Sequence, residues 1–259
     1  MNPSFQRVNN IAGWLVFGFA TIVYFFTMEA TTSFWDCGEF ISAAYKLQVV
    51  HPPGAPIFLM LGRMFTLFGG PENADVLMNA FSALSTSFAI LFLFWTTTFY
   101  SWKVLSKYDT DGEDGINSEG EASWADWKTT AAIAAGVVGA LAGTFMTSMW
   151  FSAVEAEVYA LASFFSAIIW WSMTRWERAA DRPGGDRWLV FIALMFGLSG
   201  GTHLLSLLTI PTVCFMYYFR RTEKVSAKGL AKTFATSIAV LFFILSYVLD
   251  WGILMAAKA

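Results

Sequence analysis

The sequence predicts an all-α polytopic membrane protein. Hydrophobic residues make up 56% of the 259 residues and charged residues only 14%, and the mean hydropathy is +0.54. Long apolar runs recur along the chain with charged connectors between them, a pattern typical of helices that cross a bilayer. The net charge of −3 and the lack of a basic stripe give no indication of nucleic-acid binding.

Seven apolar runs predict membrane spans. We expect the first to be retained, because Glu29-Ala-Thr-Thr-Ser after it is a poor signal-peptidase site. An eighth run, 54–69, is short, contains Arg63 and ends at Gly-Gly-Pro. The predicted spans lie near residues 11–28, 76–102, 131–150, 157–174, 188–200, 203–219 and 232–250.

The distribution of basic residues sets the predicted topology. If 54–69 does not cross and the N-terminus is cytoplasmic, all 16 lysines and arginines except Lys46, Arg63 and Lys258 lie on the cytoplasmic side. If 54–69 crosses the membrane, nearly all of the lysines and arginines predicted to be cytoplasmic lie on the outer side instead. We therefore predict that 54–69 and the amphipathic segment 38–50 are juxtamembrane helices at the outer face.

The connector between the second and third predicted spans, 103–130, is polar and acidic. It contains seven acidic residues and three lysines and shows no helical periodicity. We interpret it as a flexible cytoplasmic connector and not as a site.

Ionisable residues cluster directly after the first span. Asp36 and Glu39 lie in the sequence Trp-Asp-Cys-Gly-Glu-Phe, and His51 begins the sequence His-Pro-Pro-Gly. Because charged groups beside lipid are costly, the cluster indicates a functional site. A helix would put both acids on one face, and Pro52 and Pro53 are expected to end that helix. The alternative is a solvated loop that happens to carry charges.

The predicted topology brings two further connectors to the same face of the membrane. Glu155 and Glu157 lie between the third and fourth spans, where they suit a shared cation or merely cap the fourth helix. His203 lies between the fifth and sixth spans, and a lone histidine there is more often an interfacial residue than a ligand. Cys37 and Cys214 imply no disulfide and no metal-thiolate site.

The order of these motifs resembles the GT-C superfamily of membrane glycosyltransferases, which take sugars from polyprenyl-phosphate carriers. Within it, Asp36-Cys-Gly-Glu39 followed by His51-Pro-Pro-Gly54 is similar to the protein O-mannosyltransferase-like family of bacterial membrane proteins. The resemblance covers essentially the whole chain. It implies one module, 1–259, built as a GT-C-like bundle of about seven spans with juxtamembrane helices in the first outer loop. Many members continue into a soluble outer domain, so we expect one to be missing here.

The resemblance implies a glycosyltransferase that moves a sugar, with mannose as a candidate, to Ser or Thr hydroxyls of exported proteins. Its partners would be the lipid-linked donor, the exported acceptor, membrane lipids, and a partner subunit or the missing outer domain. It implies the bacterial inner membrane, with the N-terminus cytoplasmic and the active site periplasmic.

The resemblance also assigns catalytic and phosphate-binding roles. Asp36 corresponds to the acidic catalytic residue of the first outer loop, with Glu39 as the alternative, and a single base fits an inverting reaction. His51 stands where the aminoarabinose-transferring members have lysine before Pro-Pro. We assign it, with Arg63 and His203, to substrate or phosphate binding.

A metal site is implied in the same way. Glu155 and Glu157 are similar to the second acidic motif of oligosaccharyltransferases, where a cation sits, although that family has Asp at the first position. A divalent cation, Mg²⁺ or Mn²⁺, is therefore the expected cofactor.

Two other functional classes stay open. A transporter could use a helix break at 197–201, but the acids lie at one face and not at the midplane, and no inverted repeat is evident. A non-catalytic assembly subunit could pack its aromatic surface against partners. Alanine at Asp36 separates the classes, because an enzyme loses activity whereas a subunit tolerates the change.

Overall fold

The structure, a computed structural model, describes residues 3–110 and 127–256. These residues form α-helices and two 3-10 helices, Pro71–Asn73 and Leu204–Thr209, and contain no strand, which confirms the predicted all-α class. In chain order, the α-helices are α1 (Pro3–Thr27), α2 (Cys37–Lys46), α3 (Pro56–Thr66), α4 (Ala74–Thr110), α5 (Trp127–Thr144), α6 (Thr147–Val154), α7 (Val158–Ala179), α8 (Arg187–Gly200), α9 (Ile210–Arg221) and α10 (Ala227–Ala256).

The apolar helices identify a membrane protein, but seven crossing helices are not confirmed. Among the described residues, three helices are long and apolar enough to cross: Ser4–Thr27, Pro71–Lys107 and Ala227–Ser246. A fourth crossing results if α5 and α6 count as one broken span. α8 and α9 have only 14 and 12 residues, whereas a crossing helix needs about 20.

The membrane span predicted near 131–150 is not one continuous helix. α5 ends at Thr144, Met146 is extended, and α6 then begins at Thr147 at an angle of 63° to α5. The buried Tyr24 hydroxyl of α1 donates a hydrogen bond to the Thr144 carbonyl at 3.1 Å. That carbonyl is one of those that a helix end leaves without an intrahelical partner, so the bond stabilises the break.

The loop that follows α1 is fastened to the bundle by hydrogen bonds to its backbone. The Glu29 N–H donates to the carbonyl of Val154 at the end of α6, at 3.0 Å. The Asn79 side chain of α4, only 1% exposed, donates to the carbonyls of Glu29 and Thr31 at 2.9 and 3.2 Å. The chain after α1 is therefore held against α4 and α6.

Both segments predicted to be juxtamembrane, 38–50 and 54–69, contain helices, α2 and α3. α2 ends earlier than predicted, at Lys46, because Leu47 adopts the left-handed conformation with φ 51°. The Pro52–Pro53 pair, joined by a cis peptide bond, therefore does not end the helix as expected. Its turn carries the chain into α3.

The core next to this loop is aromatic. The fully buried Phe58 of α3 lies with its ring 5.4 Å from that of Phe40 in α2 and 5.5 Å from that of Phe81 in α4. On the other side of α4, Gly136 lets α5 approach closely, since a Cβ there would lie 2.3 Å from the Thr98 methyl group. These contacts fix α2 and α5 to the long helix α4.

The opposite end of the bundle is basic. Residues predicted to be cytoplasmic meet there through ion pairs, so they share one end of the molecule. Much of the acidic connector 103–130 lies outside the described residues. The ion pairs are Lys103–Glu177, Arg220–Asp181 and Arg221–Asp186.

Candidate functional site

A cavity of about 310 Å³ opens at the end of the bundle where α1 is followed by the loop that leads to α2. Three carboxylates line it, although 118 or more residues separate the first from the other two along the chain. The cavity residues with carboxylate or aromatic side chains are Asp36, Glu155, Glu157, Trp35, Phe151 and Tyr159.

The backbone at Trp35 directs Asp36 towards the cavity. Trp35 has φ 63°, a left-handed conformation that costs a non-glycine residue about 1–2 kcal/mol, and its indole is 92% exposed. Asp36 is the N-cap of α2, yet its carboxylate makes no capping hydrogen bond. Gly38 permits the close approach of Thr32, whose methyl group would lie 3.3 Å from an added Cβ.

Cys37 joins the two acidic motifs, a contact that the sequence did not reveal. Its sulfur is fully buried and lies 3.3 Å from Glu155 Oε2 and 3.5 Å from Glu157 Oε1. Burial, followed by the negative charges of the two glutamates, raises the pKa of Cys37 well above its ordinary range. The side chain is therefore a neutral thiol that can donate its one hydrogen to either carboxylate.

Glu157 is the carboxylate on which charge is most costly. Burial raises the pKa of Glu157, and the charges of Asp36 and Glu155 raise it further, whereas the hydrogen bond from Cys37 opposes them. A proton or a cation beside Glu157 relieves this cost.

His51 is held by Glu39 and faces Asp36. Its Nδ1 lies 2.8 Å from Glu39 Oε2, and its backbone N–H donates to Glu39 Oε1 at 2.7 Å. Its other ring nitrogen, Nε2, lies 4.0 Å from Asp36 Oδ2. The hydrogen bond to Glu39 raises the pKa of His51 and lowers the pKa of Glu39. The arrangement favours an imidazolium directed at Asp36.

Four of the predicted site residues, Glu39, His51, Arg63 and His203, do not line the cavity. The Arg63 guanidinium lies 4.8 Å from the ring of Tyr45, so its contacts are with α2 and α3. The His203 ring lies 4.8 Å from that of Tyr159, which does line the cavity. His203 is thus one side chain away from the carboxylates.

The site offers two sets of ligands that fit a divalent cation. Glu155 and Glu157 converge on one thiol, and carboxylate oxygens are the ligands that Mg²⁺ and Mn²⁺ prefer. Asp36, Glu39 and His51 also offer ligand atoms within 4.8 Å of one another. Glu39 already uses both of its oxygens to hold His51.

The fold and the site together define a class of protein: a helical membrane bundle in which separate connectors bring carboxylates together at one end. The chain belongs to the family of the protein O-mannosyl-transferase TMEM260 N-terminal domain, which matches residues 36–226. The matched segment begins at Asp36 and includes every candidate site residue. The family resemblance predicted from the motifs is therefore confirmed.

Two curated proteins of this name are similar to the chain. The protein O-mannosyl-transferase tmem260 of Dictyostelium discoideum is 26% identical over 168 residues, which cover 62% of this chain and 17% of the relative. The mouse TMEM260 protein is 25% identical over 188 residues, which cover 71% of this chain and 22% of the relative. The chain thus spans about a fifth of the length of these relatives, and no solved structure matches it.

Proposed function

We propose that this chain is the membrane module of a glycosyltransferase that moves a sugar, with mannose as the first candidate, from a polyprenyl-phosphate carrier to Ser or Thr hydroxyls of exported proteins. The observation that carries the proposal is the convergence of Asp36, Glu155 and Glu157 on one cavity at one end of the bundle. The names of the two relatives, both protein O-mannosyl-transferases, support the reaction class.

Asp36 is the proposed general base. Its carboxylate lines the cavity without a capping hydrogen bond, so it is available to accept the proton of an acceptor hydroxyl. As the hydroxyl oxygen attacks the anomeric carbon, the bond from that carbon to the phosphate oxygen breaks. The proton goes to Asp36, and the electron pair of the broken bond leaves with the polyprenyl phosphate, which inverts the sugar configuration.

His51 is proposed to stabilise the departing phosphate. Glu39 keeps it oriented and favours its protonated form, and its Nε2 lies close to Asp36. Glu39 then acts through His51 and is a positioning residue, not an alternative base. Arg63 and His203 are assigned only to the periphery, where they would meet a bound acceptor or carrier.

A divalent cation, Mg²⁺ or Mn²⁺, is proposed to bind between Glu155 and Glu157. When bound, it would supply positive charge for the phosphate of the donor. The raised pKa of Glu157 supports the assignment, because burial, together with the charges of Asp36 and Glu155, favours a counter-charge beside this carboxylate.

We place the site on the outer side of the bacterial inner membrane, with the N-terminus cytoplasmic. The basic residues gathered at the opposite end of the bundle support that orientation. Both named relatives are eukaryotic proteins, so the bacterial location rests on the resemblance alone.

The test is a transfer assay. Membranes containing the chain receive mannosyl-phosphoryl-polyprenol and a Ser/Thr-rich peptide, and the glycosylated peptide is measured by mass spectrometry. Asp36→Asn should abolish transfer, whereas Glu72→Gln, an exposed acid at the same end but outside the cavity, should not. Normal transfer by Asp36→Asn would refute the assignment of the base, and intact assembly without any transfer by the unmodified chain would favour the subunit alternative.

A further inference from the structure

A second cavity lies at the opposite end of the bundle, between α1, α4 and α7. Its volume is about 150 Å³, and no residue that lines it belongs to the acidic site. Polar and aromatic side chains from the three helices surround it, among them Asn9, Trp95, Trp171, Thr174, Arg175 and Arg178.

Arg175 provides this cavity with a positive charge. Its guanidinium lies beside two indoles, 5.4 Å from the ring centre of Trp171 and 5.7 Å from that of Trp188. Within residues 3–110 and 127–256, Arg175 forms no ion pair with a carboxylate. A flat guanidinium held by aromatic rings and left without an acid is well suited to a phosphate.

Asn9 supplies the second observation. It is only 8% exposed, it lines the same cavity, and its side-chain oxygen has no hydrogen-bond partner among the described residues. A buried amide oxygen without a donor is costly. The nearby Trp95 indole N–H does not serve it, because that group donates to the Asn9 backbone carbonyl at 3.4 Å.

The position of this cavity along α1 places it in the leaflet opposite to the acidic site. Asn9 and Thr27, the last residue of α1, are 18 residues apart, which is about 27 Å at 1.5 Å per residue. That is close to the thickness of a bilayer core, about 30 Å. Tryptophan and arginine side chains at such a depth meet lipid headgroups.

We infer that this cavity binds the headgroup of a phosphate-bearing lipid in the leaflet opposite to the acidic site. The phosphate would accept hydrogen bonds from the Arg175 guanidinium, and a hydroxyl of the headgroup would donate to Asn9 Oδ1. A phosphodiester that carries free hydroxyls, as in phosphatidylglycerol, supplies both the phosphate acceptor and the hydroxyl donor. The inference is independent of the proposed transferase reaction.

Native mass spectrometry of the full chain in detergent tests this site. The protein is titrated with phosphatidylglycerol or with phosphatidylcholine of the same acyl chains. We expect phosphatidylglycerol to bind at least about tenfold more tightly, a difference of about 1.4 kcal/mol. Arg175→Gln should remove that preference, and Arg175→Lys, which keeps the charge but loses the planar fork, should fall between.

Two further variants keep the test decisive. Asn9→Asp has nearly the same shape but puts a negative charge in the cavity, so it should also remove the preference for phosphatidylglycerol. If Arg175→Gln does not fold, Asn9→Asp provides the test in its place. Arg182→Gln removes an exposed charge that lies outside the cavity and should retain the preference. An equal loss in Arg182→Gln, or equal binding of the two lipids to the unmodified chain, would overturn the inference.

A final arm separates a lipid headgroup from a soluble anion. Inorganic phosphate in large molar excess should leave phosphatidylglycerol binding essentially unchanged, because the acyl chains hold the lipid in place. Displacement of the lipid by phosphate alone would show a soluble phosphate site and overturn the assignment to a lipid.

Discussion

Glu39→Gln tests how the acidic site controls His51. In the folded chain, Glu39 accepts hydrogen bonds from the His51 imidazole and backbone N–H, and the hydrogen bond to the ring, together with the charge of Glu39, keeps the pKa of His51 above the ordinary value of 6.5. Glutamine keeps the shape and removes the charge. We therefore expect the pKa of His51 to fall in the variant.

The energy involved is modest because both partners are partly exposed. The side chains of His51 and Glu39 are 49% and 40% exposed, and solvent screening limits such a pair to about 0.2–1 kcal/mol. Because the folded-state pKa of His51 is raised, the pair's contribution to the free energy of unfolding is fully present between pH 4.5 and 6.5 and is lost as the pH rises through the raised pKa of His51. Because the pKa of Glu39 is lowered, the contribution is also lost as the pH falls below 4.5.

NMR of ¹⁵N-histidine-labelled protein measures this shift directly. The chain has only two histidines, His51 and His203, so a His203→Gln sample assigns both signals. His203 also serves as the internal control, since it contacts Tyr159 and not Glu39. In the transfer assay, the alkaline limb of the pH profile should move to lower pH in Glu39→Gln. An unchanged pKa of His51, or equal shifts of both histidines, would refute the reasoning.

Three further outcomes test the site and its orientation. Asp36→Asn should lower transfer about 10²–10⁴-fold with unchanged helical circular dichroism, and normal transfer would contradict its role as base. Glu155→Gln and Glu157→Gln should each lower transfer, and EDTA should then reduce transfer by less than it does in the unmodified chain. Each change should be non-additive with Asp36→Asn, whereas small independent losses of stability would indicate helix capping. In intact cells, an impermeant maleimide should label a cysteine at Ser152 but not one at Ser118, and the reverse would refute the topology.

The sequence predicted the helices around the site because the spacing of apolar residues and the positions of prolines determine them locally. The segments 38–50 and 54–69 have amphipathic spacing with prolines between them, and they contain α2 and α3. The left-handed Leu47, which ends α2 early, had no such signal, since leucine seldom adopts that conformation.

The break between α5 and α6 could not be predicted from hydropathy. Residues 145 and 146 are Phe and Met, which are as apolar as a continuous span requires. A hydrogen bond from Tyr24, 120 residues away in sequence, stabilises the bend. Likewise, nothing local to Cys37 indicated that its sulfur lies between two glutamates more than a hundred residues away.

That position of Cys37 has a consequence for redox chemistry. Thiolates, not thiols, are the species that oxidants and alkylating reagents attack, and burial beside two carboxylates keeps this sulfur protonated. The Cys37 thiol is therefore protected from oxidation and from mixed-disulfide formation. The same protection keeps Cys37 out of maleimide labelling, so its signal should not obscure that of an engineered cysteine.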